Sequence, residues 1–154
     1  MFKQQRNGWG GKLFDVWKFR SMYEQEGEAF KQATQNDPRV TTVGRFIRRT
    51  SIDELPQLFN VLQGNMSLVG PRPHPVPLDD YFSKKIEAYF ARHMIKPGIT
   101  GLAQVNGFRG ETETLDKMVG RFDYDLHYIN NWSILLDLRI LVKTIFMFCS
   151  SKAY

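Results

Sequence analysis

Two adjacent carboxylates, Asp53 and Glu54, follow a basic run containing Arg48 and Arg49 and stand just before Pro56. A carboxylate at a site already suited to anions can attack phosphorus, and a second carboxylate can help to hold a divalent cation. The same pair also suits an ordinary helix start, where acids cap free N–H groups and complement the helix dipole. Both readings stand on these residues alone.

Gly70-Pro71-Arg72-Pro73 is a second candidate, because prolines on both sides of one arginine fix the backbone that presents a forked donor suited to phosphate. An arginine in an ordinary proline turn has the same pattern. Lys18 and Arg20 share a face of any strand that carries them, so both could meet one anion or simply line an exposed sheet face. Asp123 and Asp125 in RFDYDLHY, and Asp137 in WSILLDLRIL, form a third set. An aspartate inside an apolar run needs an arginine, a backbone donor or a metal, and Arg139 is two residues from Asp137, the wrong spacing for pairing along a helix. His93 and His127 read as structural histidines on amphipathic faces.

These groups must be positioned by a chain of 154 residues, enough to build one core, and we expect a single domain over residues 1–154. Twenty-one Lys and Arg against sixteen Asp and Glu give a net charge of +5, which favours anionic partners: nucleic acid, phosphorylated ligands or an acidic membrane face. The single cysteine, Cys149, excludes an internal disulfide, and with three histidines it argues against a zinc site. No run of about 18 uninterrupted apolar residues is present. Ile134 to Cys149 comes nearest but carries Asp137, Arg139 and Lys143, which suits a buried helix or one lying at a bilayer surface.

Phe2 to Arg20 reads as a β-hairpin of two alternating, aromatic-rich strands joined through Asn7-Gly8-Trp9-Gly10-Gly11. Glu24 to Pro38 reads as a polar, partly helical or mobile surface loop. Thr41 to Thr50 reads as a short basic helix with Val43, Phe46 and Ile47 on one side. The next helix should have Asp53 as its N-cap, Pro56 in its first turn and Gly64 at its end, where φ > 0 is wanted. Val69 to Pro77 should be extended, Asp79 to His93 helical, Pro97 to Gly101 a tight turn, and Thr112 to Asn130 an amphipathic helix. A final helix follows Trp132. The fold class expected is α+β, mostly helical with a small N-terminal hairpin.

Taken together, KFRSM, RRTSIDELPQLFNVLQGNMSLVGPRPHPV, RHMIKPGITGLAQVNGFRGET and FDYDLHYINNWSILLDLRILVKT closely resemble the bacterial sugar transferases, monotopic polyprenyl-phosphate phosphoglycosyl transferases. The likeness covers nearly the whole chain in order, and ATQNDPRVTTVGRF with the KAY ending is most similar to the undecaprenyl-phosphate glucose phosphotransferases of capsule and exopolysaccharide synthesis. The resemblance implies a ping-pong reaction: Asp53 attacks the sugar-bearing phosphorus of a UDP-sugar, UMP leaves, and undecaprenyl phosphate then takes the sugar phosphate from Asp53. It makes Glu54 the Mg²⁺-binding carboxylate, and Lys18, Arg48, Arg72, Asp125 and Asp137 residues associated with the active site. It also implies work at the cytoplasmic leaflet of the bacterial inner membrane. The family carries an apolar re-entrant helix just upstream of the FKQ equivalent; this chain begins after that point, so membrane attachment of the chain alone is expected to suffer.

Glucose is the expected sugar, with galactose or an N-acetylated hexosamine as alternatives. Two readings of another class remain: a nucleic-acid-binding module, suggested by the basic charge with Phe14, Trp17 and Phe19, and a non-catalytic membrane-peripheral scaffold. The absence of a recognisable nucleic-acid motif weighs against the first, and no nucleic acid partner is expected.

Overall fold

A computed structural model describes residues 1–23, 33–34, 37–110 and 114–149. Most of the Glu24–Pro38 loop lies outside the described residues. Alternating side chains build the hairpin β1 (Phe2–Asn7) and β2 (Leu13–Lys18), antiparallel with Phe2 opposite Lys18 and Arg6 opposite Phe14. Opposed residues share a face, so Arg6, Val16 and Lys18 lie on the same side of this ribbon. Val16 and Arg6 are buried there, which makes that side the inner one.

Helix α1 (Thr42–Arg49) begins where the Thr41 hydroxyl accepts from the Gly44 N–H. Its apolar residues are not core: Val43 and Phe46 are exposed. Asp53 does not cap the next helix. It lies in a 3₁₀ turn, Ile52–Glu54, entered through Ser51 at φ 57°, and α2 (Gln57–Leu62) starts after Pro56. Pro56 has helical dihedrals and no N–H to satisfy, so the helix begins at the proline and leaves Asp53 on the preceding turn. Gly64 does have the positive φ expected of it, 79°.

Two features were hidden from periodicity. Gly98–Thr100, expected as a turn, is a strand (β4) paired in parallel with β3 (Ser67–Val69). This pairing needs Gly98: a Cβ there would stand 2.1 Å from the Gly70 nitrogen. The helix expected over Asp79 to His93 is broken into α3 (Val76–Ser83), which includes Pro77 of the supposedly extended loop, and a 3₁₀ segment at Tyr89–His93. Ala88 at φ 57° divides them.

After a short α4 (Leu102–Val105), α5 (Leu115–Asn130) and α6 (Ile134–Cys149) complete the described chain. The capped start of α5 at Thr114 moves the helix start inward from Thr112, and residues 111–113 lie outside the described residues. Met118 and Phe122 of α5 join Phe82 and Tyr89 in one core cluster, and Tyr128 of α5 joins Val69 and Ile140 in another. The architecture is α+β, mostly helical with an N-terminal hairpin, and no described helix is long and apolar enough to cross a membrane.

Asn60 fastens α2 to the hairpin. Its side chain, fully buried, accepts from the Trp17 N–H at 3.1 Å and donates to the Asp15 carbonyl at 2.7 Å. Asn60→Leu leaves both backbone groups unpaired, so the urea midpoint of the chain should fall by the equivalent of about 1–3 kcal/mol with an unchanged denaturant slope.

Candidate active site

The Phe19 N–H donates to the Asp53 carbonyl at 2.9 Å, which ties the end of the hairpin to the acidic turn. Lys18, one residue earlier, thereby reaches Glu54: Nζ lies 2.9 Å from Oε1. From the opposite direction Arg72 forks onto the same carboxylate, Nη1 donating to Oε2 at 3.0 Å and Nη2 to Oε1. The loop presenting Arg72 is held by backbone bonds on both sides, Gly70 N–H to the Thr100 carbonyl and Gly98 N–H to the Pro71 carbonyl, each 2.9 Å. The β3–β4 pair that periodicity missed is therefore what aims Arg72.

Burial alone would raise the Glu54 pKa, but Arg72 and Lys18 outweigh it and hold the carboxyl well below the usual range. Glu54 is an anion. Asp53, 8 % exposed, moves the other way: burial and then the charge of Glu54 push its pKa up, against the pull of Lys18, Arg48 and Arg72. Hydrogen bonding plays no part among those influences. The two neighbouring carboxyl groups thus differ in kind, Glu54 a paired anion and Asp53 a carboxyl whose ionised form burial disfavours.

Sequence reasoning missed Arg6. It is buried in a strand where alternation alone suggested nothing, with Nε unpartnered and Nη2 on Gln4 Oε1 at 2.6 Å. Burial and the nearby Arg72 lower its pKa to about 9. Arg6 thus adds a third cation beside Lys18 and Arg72, set between the carboxylates of Asp79 and Glu54, and clustered buried positive charge of this kind suits a polyanionic ligand. Their inward orientation on one face of the hairpin was the available signal for Arg6 with Lys18.

Asp125 acts at one remove. Its carboxylate accepts from Arg92 Nη2 at 2.9 Å, and the same nitrogen donates to the Arg72 carbonyl at 2.8 Å. Arg92 was also unforeseen. Around it lies a buried polar cluster in which Tyr89 donates to Asp79 Oδ1 at 2.8 Å and His74 Nδ1 meets the Tyr89 hydroxyl at 2.8 Å. Burial and the charge of Arg92 keep His74 neutral, its pKa well below the ordinary value. Arg92→Leu strands Asp125 in the interior and should destabilise the chain by about 3–5 kcal/mol, read from chemical denaturation.

The other expected residues separate. Arg48 on α1 lies close enough to Asp53 to lower its pKa, and it contacts Met22 Sδ at 3.5 Å. Asp137 accepts from the Tyr128 hydroxyl at 2.7 Å and from Trp132 Nε1 at 3.2 Å, so it pins the α5–α6 corner and has no hydrogen bond to the Glu54 cluster. Arg20 lies beyond the end of β2 and is exposed, as is Asp123. His93 faces Asp79 at 3.4 Å inside the fold, whereas His127 is exposed.

A bacterial sugar transferase family model matches residues 1–151. The chain belongs to that family. It is 55 % identical over its whole length to a UDP-glucose:undecaprenyl-phosphate glucose-1-phosphate transferase of Escherichia coli, covering 34 % of that protein. A protein of the same description from Caulobacter vibrioides is 51 % identical over 94 % of the chain and 55 % of its own length. An Aeromonas hydrophila UDP-N-acetylgalactosamine-undecaprenyl-phosphate N-acetylgalactosaminephosphotransferase is 47 % identical over 94 % of the chain, covering 34 % of the relative. This sugar transferase chain therefore spans about a third of the E. coli relative.

Proposed function

We propose that the chain transfers glucose 1-phosphate from UDP-glucose to undecaprenyl phosphate through a sugar phosphate held covalently on Asp53. The observation that carries this reading is the acid pair itself: a buried Asp53, its carboxyl without a hydrogen bond among the described residues, beside a Glu54 clamped by Lys18 and Arg72. A carboxylate approaching a diphosphate meets like charge, and positioned cations offset it before in-line attack. Lys18, Arg72 and Arg6 supply that charge, Arg48 adds to it from α1, and Asp125 steadies Arg72 through Arg92. Asp137 has a supporting role at the α5–α6 corner.

Mg²⁺ fits this arrangement. The ion prefers one or two carboxylates plus substrate phosphates and water over an all-protein cage, and Asp53 and Glu54 offer two carboxyl groups on one turn. Glu54 would hold it through the oxygen capacity that Lys18 and Arg72 leave free, where bound Mg²⁺ neutralises diphosphate charge. The P–O bond to UMP breaks with its electron pair going to UMP, and the cations already present stabilise the negative charge that develops there.

A lipid acceptor is supported by the exposed apolar residues of α2 and α6, among them Leu58, Leu62, Leu138, Val142, Ile145 and Phe146. Apolar surface of that extent suits a membrane or partner contact; the membrane in this reading is the bacterial inner membrane at its cytoplasmic face, where exopolysaccharide synthesis would take its first lipid-linked step. Glucose follows from the relatives' names; galactose and N-acetylhexosamines are the competitors.

The test is product formation by the full-length protein in membranes supplied with undecaprenyl phosphate, Mg²⁺ and a panel of UDP-sugars. UDP-glucose should give a lipid-linked sugar diphosphate with kcat/KM at least about tenfold above its competitors, within the discrimination binding sites achieve. No lipid product from any UDP-sugar would defeat the reading. Because Asp53 has a raised pKa, UMP release should fall on acidification at a pH above the ordinary aspartate value of about 3.9.

A further inference from the structure

An apolar groove of about 190 Å³ runs beside Glu54, the sequence neighbour of Asp53. Leu55 and Leu58, Leu68, Ile99, and Leu141 and Met147 line it, from α2 and the turn before it, the β3–β4 pair and α6. Ser51, Glu54 and Arg109 also line it. These three belong together: Arg109 donates to Ser51 Oγ, and the Glu54 N–H donates to the Ser51 carbonyl at 3.1 Å. The oily lining thus reaches the turn that carries Glu54, the carboxylate on which Lys18 and Arg72 converge.

The occupant that matches is an amphiphile with an anionic head and a branched hydrocarbon tail. We infer that this groove receives the first isoprene unit of the polyprenyl phosphate acceptor, with its phosphate turned toward the Asp53–Glu54 turn. The inference rests on the transferase reading above and adds to it where the acceptor sits. Its size is suitable: a dry cavity of about 150 Å³ lined by aliphatic and aromatic side chains accepts a benzene molecule, so this groove takes about one five-carbon unit. The remaining chain passes over the exposed Leu138, Val142 and Ile145 of α6 into lipid.

Seated there, a phosphate oxygen of the acceptor bonds to the phosphorus held on Asp53. The phosphorus–oxygen bond to Asp53 breaks, and its electron pair returns to the carboxylate. With the acceptor as a dianion, three negative charges enter and three leave, and no proton has to move.

One polar group in the lining separates this occupant from another. Gln104 donates through Nε2 to the Ile99 carbonyl at 3.1 Å, but its Oε1 is buried without a partner. A sugar hydroxyl could satisfy that oxygen, which would make the groove part of the donor site.

The experiment measures both half-reactions in the full-length protein in membranes. Leu58 and Leu68 are 45 % and 44 % exposed, so Leu58→Trp and Leu68→Trp narrow the groove from positions that tolerate a larger side chain. Each should raise the acceptor KM at least about tenfold, with a smaller change in the donor KM, while Tyr81→Trp on the exposed side of α3 changes neither. Gln104→Leu should lower the acceptor KM and leave the donor KM unchanged. Unchanged acceptor KM in both tryptophan variants overturns the inference. So does a higher donor KM in Gln104→Leu with a constant acceptor KM, which assigns the groove to the sugar. If the unaltered protein releases no UMP from UDP-glucose in the absence of acceptor, the transferase reading fails instead, and the two failures are distinguishable.

Discussion

Asp53→Asn should lower UMP release from UDP-glucose by at least about 10³-fold, while UDP-glucose binding changes by less than about tenfold. The substitution keeps the size and removes the nucleophilic oxygen, so it acts on a step made only at the reacting atom. Among the described residues the Asp53 carboxyl makes no hydrogen bond that the amide would lose, and the charge it removes is one that burial already disfavours. Its folded-state pKa is raised, so the ionised carboxyl costs stability as pH rises through that pKa. Asp53→Asn should consequently be at least as stable as the unaltered chain at neutral pH. Loss of activity with stability retained distinguishes a reacting group from a structural one; donor-only UMP release and a thermal melt on the same preparation measure both.

Glu54→Gln should cost about 10²–10³-fold in kcat, the range for removing one preorganised electrostatic partner. Unlike Asp53, Glu54 holds two cations, and without its charge Lys18 and Arg72 repel each other and Arg6. A second effect separates this role from plain damage. The charge of Glu54 raises the pKa of Asp53, so the acid limb of the residual UMP-release profile should move to lower pH. A residual profile with its acid limb unmoved would show that the two carboxyl groups do not act on one another. Activity in the variant should also respond less to added Mg²⁺, and an identical Mg²⁺ dependence would remove Glu54 as the cation's ligand.

Local chemistry made much of the scaffold legible. Alternation marked the hairpin, the spacing of Met118 and Phe122 marked the buried face of α5, and Gly64 marked a helix end because no other residue adopts its φ so readily. The β3–β4 pair was not legible, because three-residue strands carry no period and their pairing joins residues about thirty positions apart. Asp53 was misplaced as a cap because its residue type fits two local environments, and the proline after it decides which one forms. Within the site, Asp53, Glu54, Lys18 and Arg72 stood out by type and order. Arg6 and Arg92 did not: each acquires its role from a neighbour distant in sequence, Arg72 for the first and Asp125 with the Arg72 carbonyl for the second.

The same long-range dependence explains why the site is anchored so deeply. Arg72 is steered by strand pairing in front and by the buried Arg92–Asp125 pair behind, and Lys18 by the hairpin edge that Asn60 fastens to α2. Rigid placement of cations around a developing charge avoids reorganisation during the reaction, which is where electrostatic catalysis gains most. Apolar residues of α2 and α6, Leu58, Leu141 and Met147, share one groove with Glu54, which under the proposed function would let a water-soluble donor and an oily acceptor approach from different surroundings.

Intact-protein mass spectrometry after incubating the full-length protein with UDP-glucose and Mg²⁺, with no lipid acceptor present, tests the covalent step most directly. The account predicts a gain of one hexose phosphate per chain, located on the peptide containing Asp53, absent in Asp53→Asn and discharged on adding undecaprenyl phosphate. Lipid product formed at full rate by a protein that never gains this mass, with UMP appearing only when acceptor is present, would contradict it and point to direct transfer between two bound substrates.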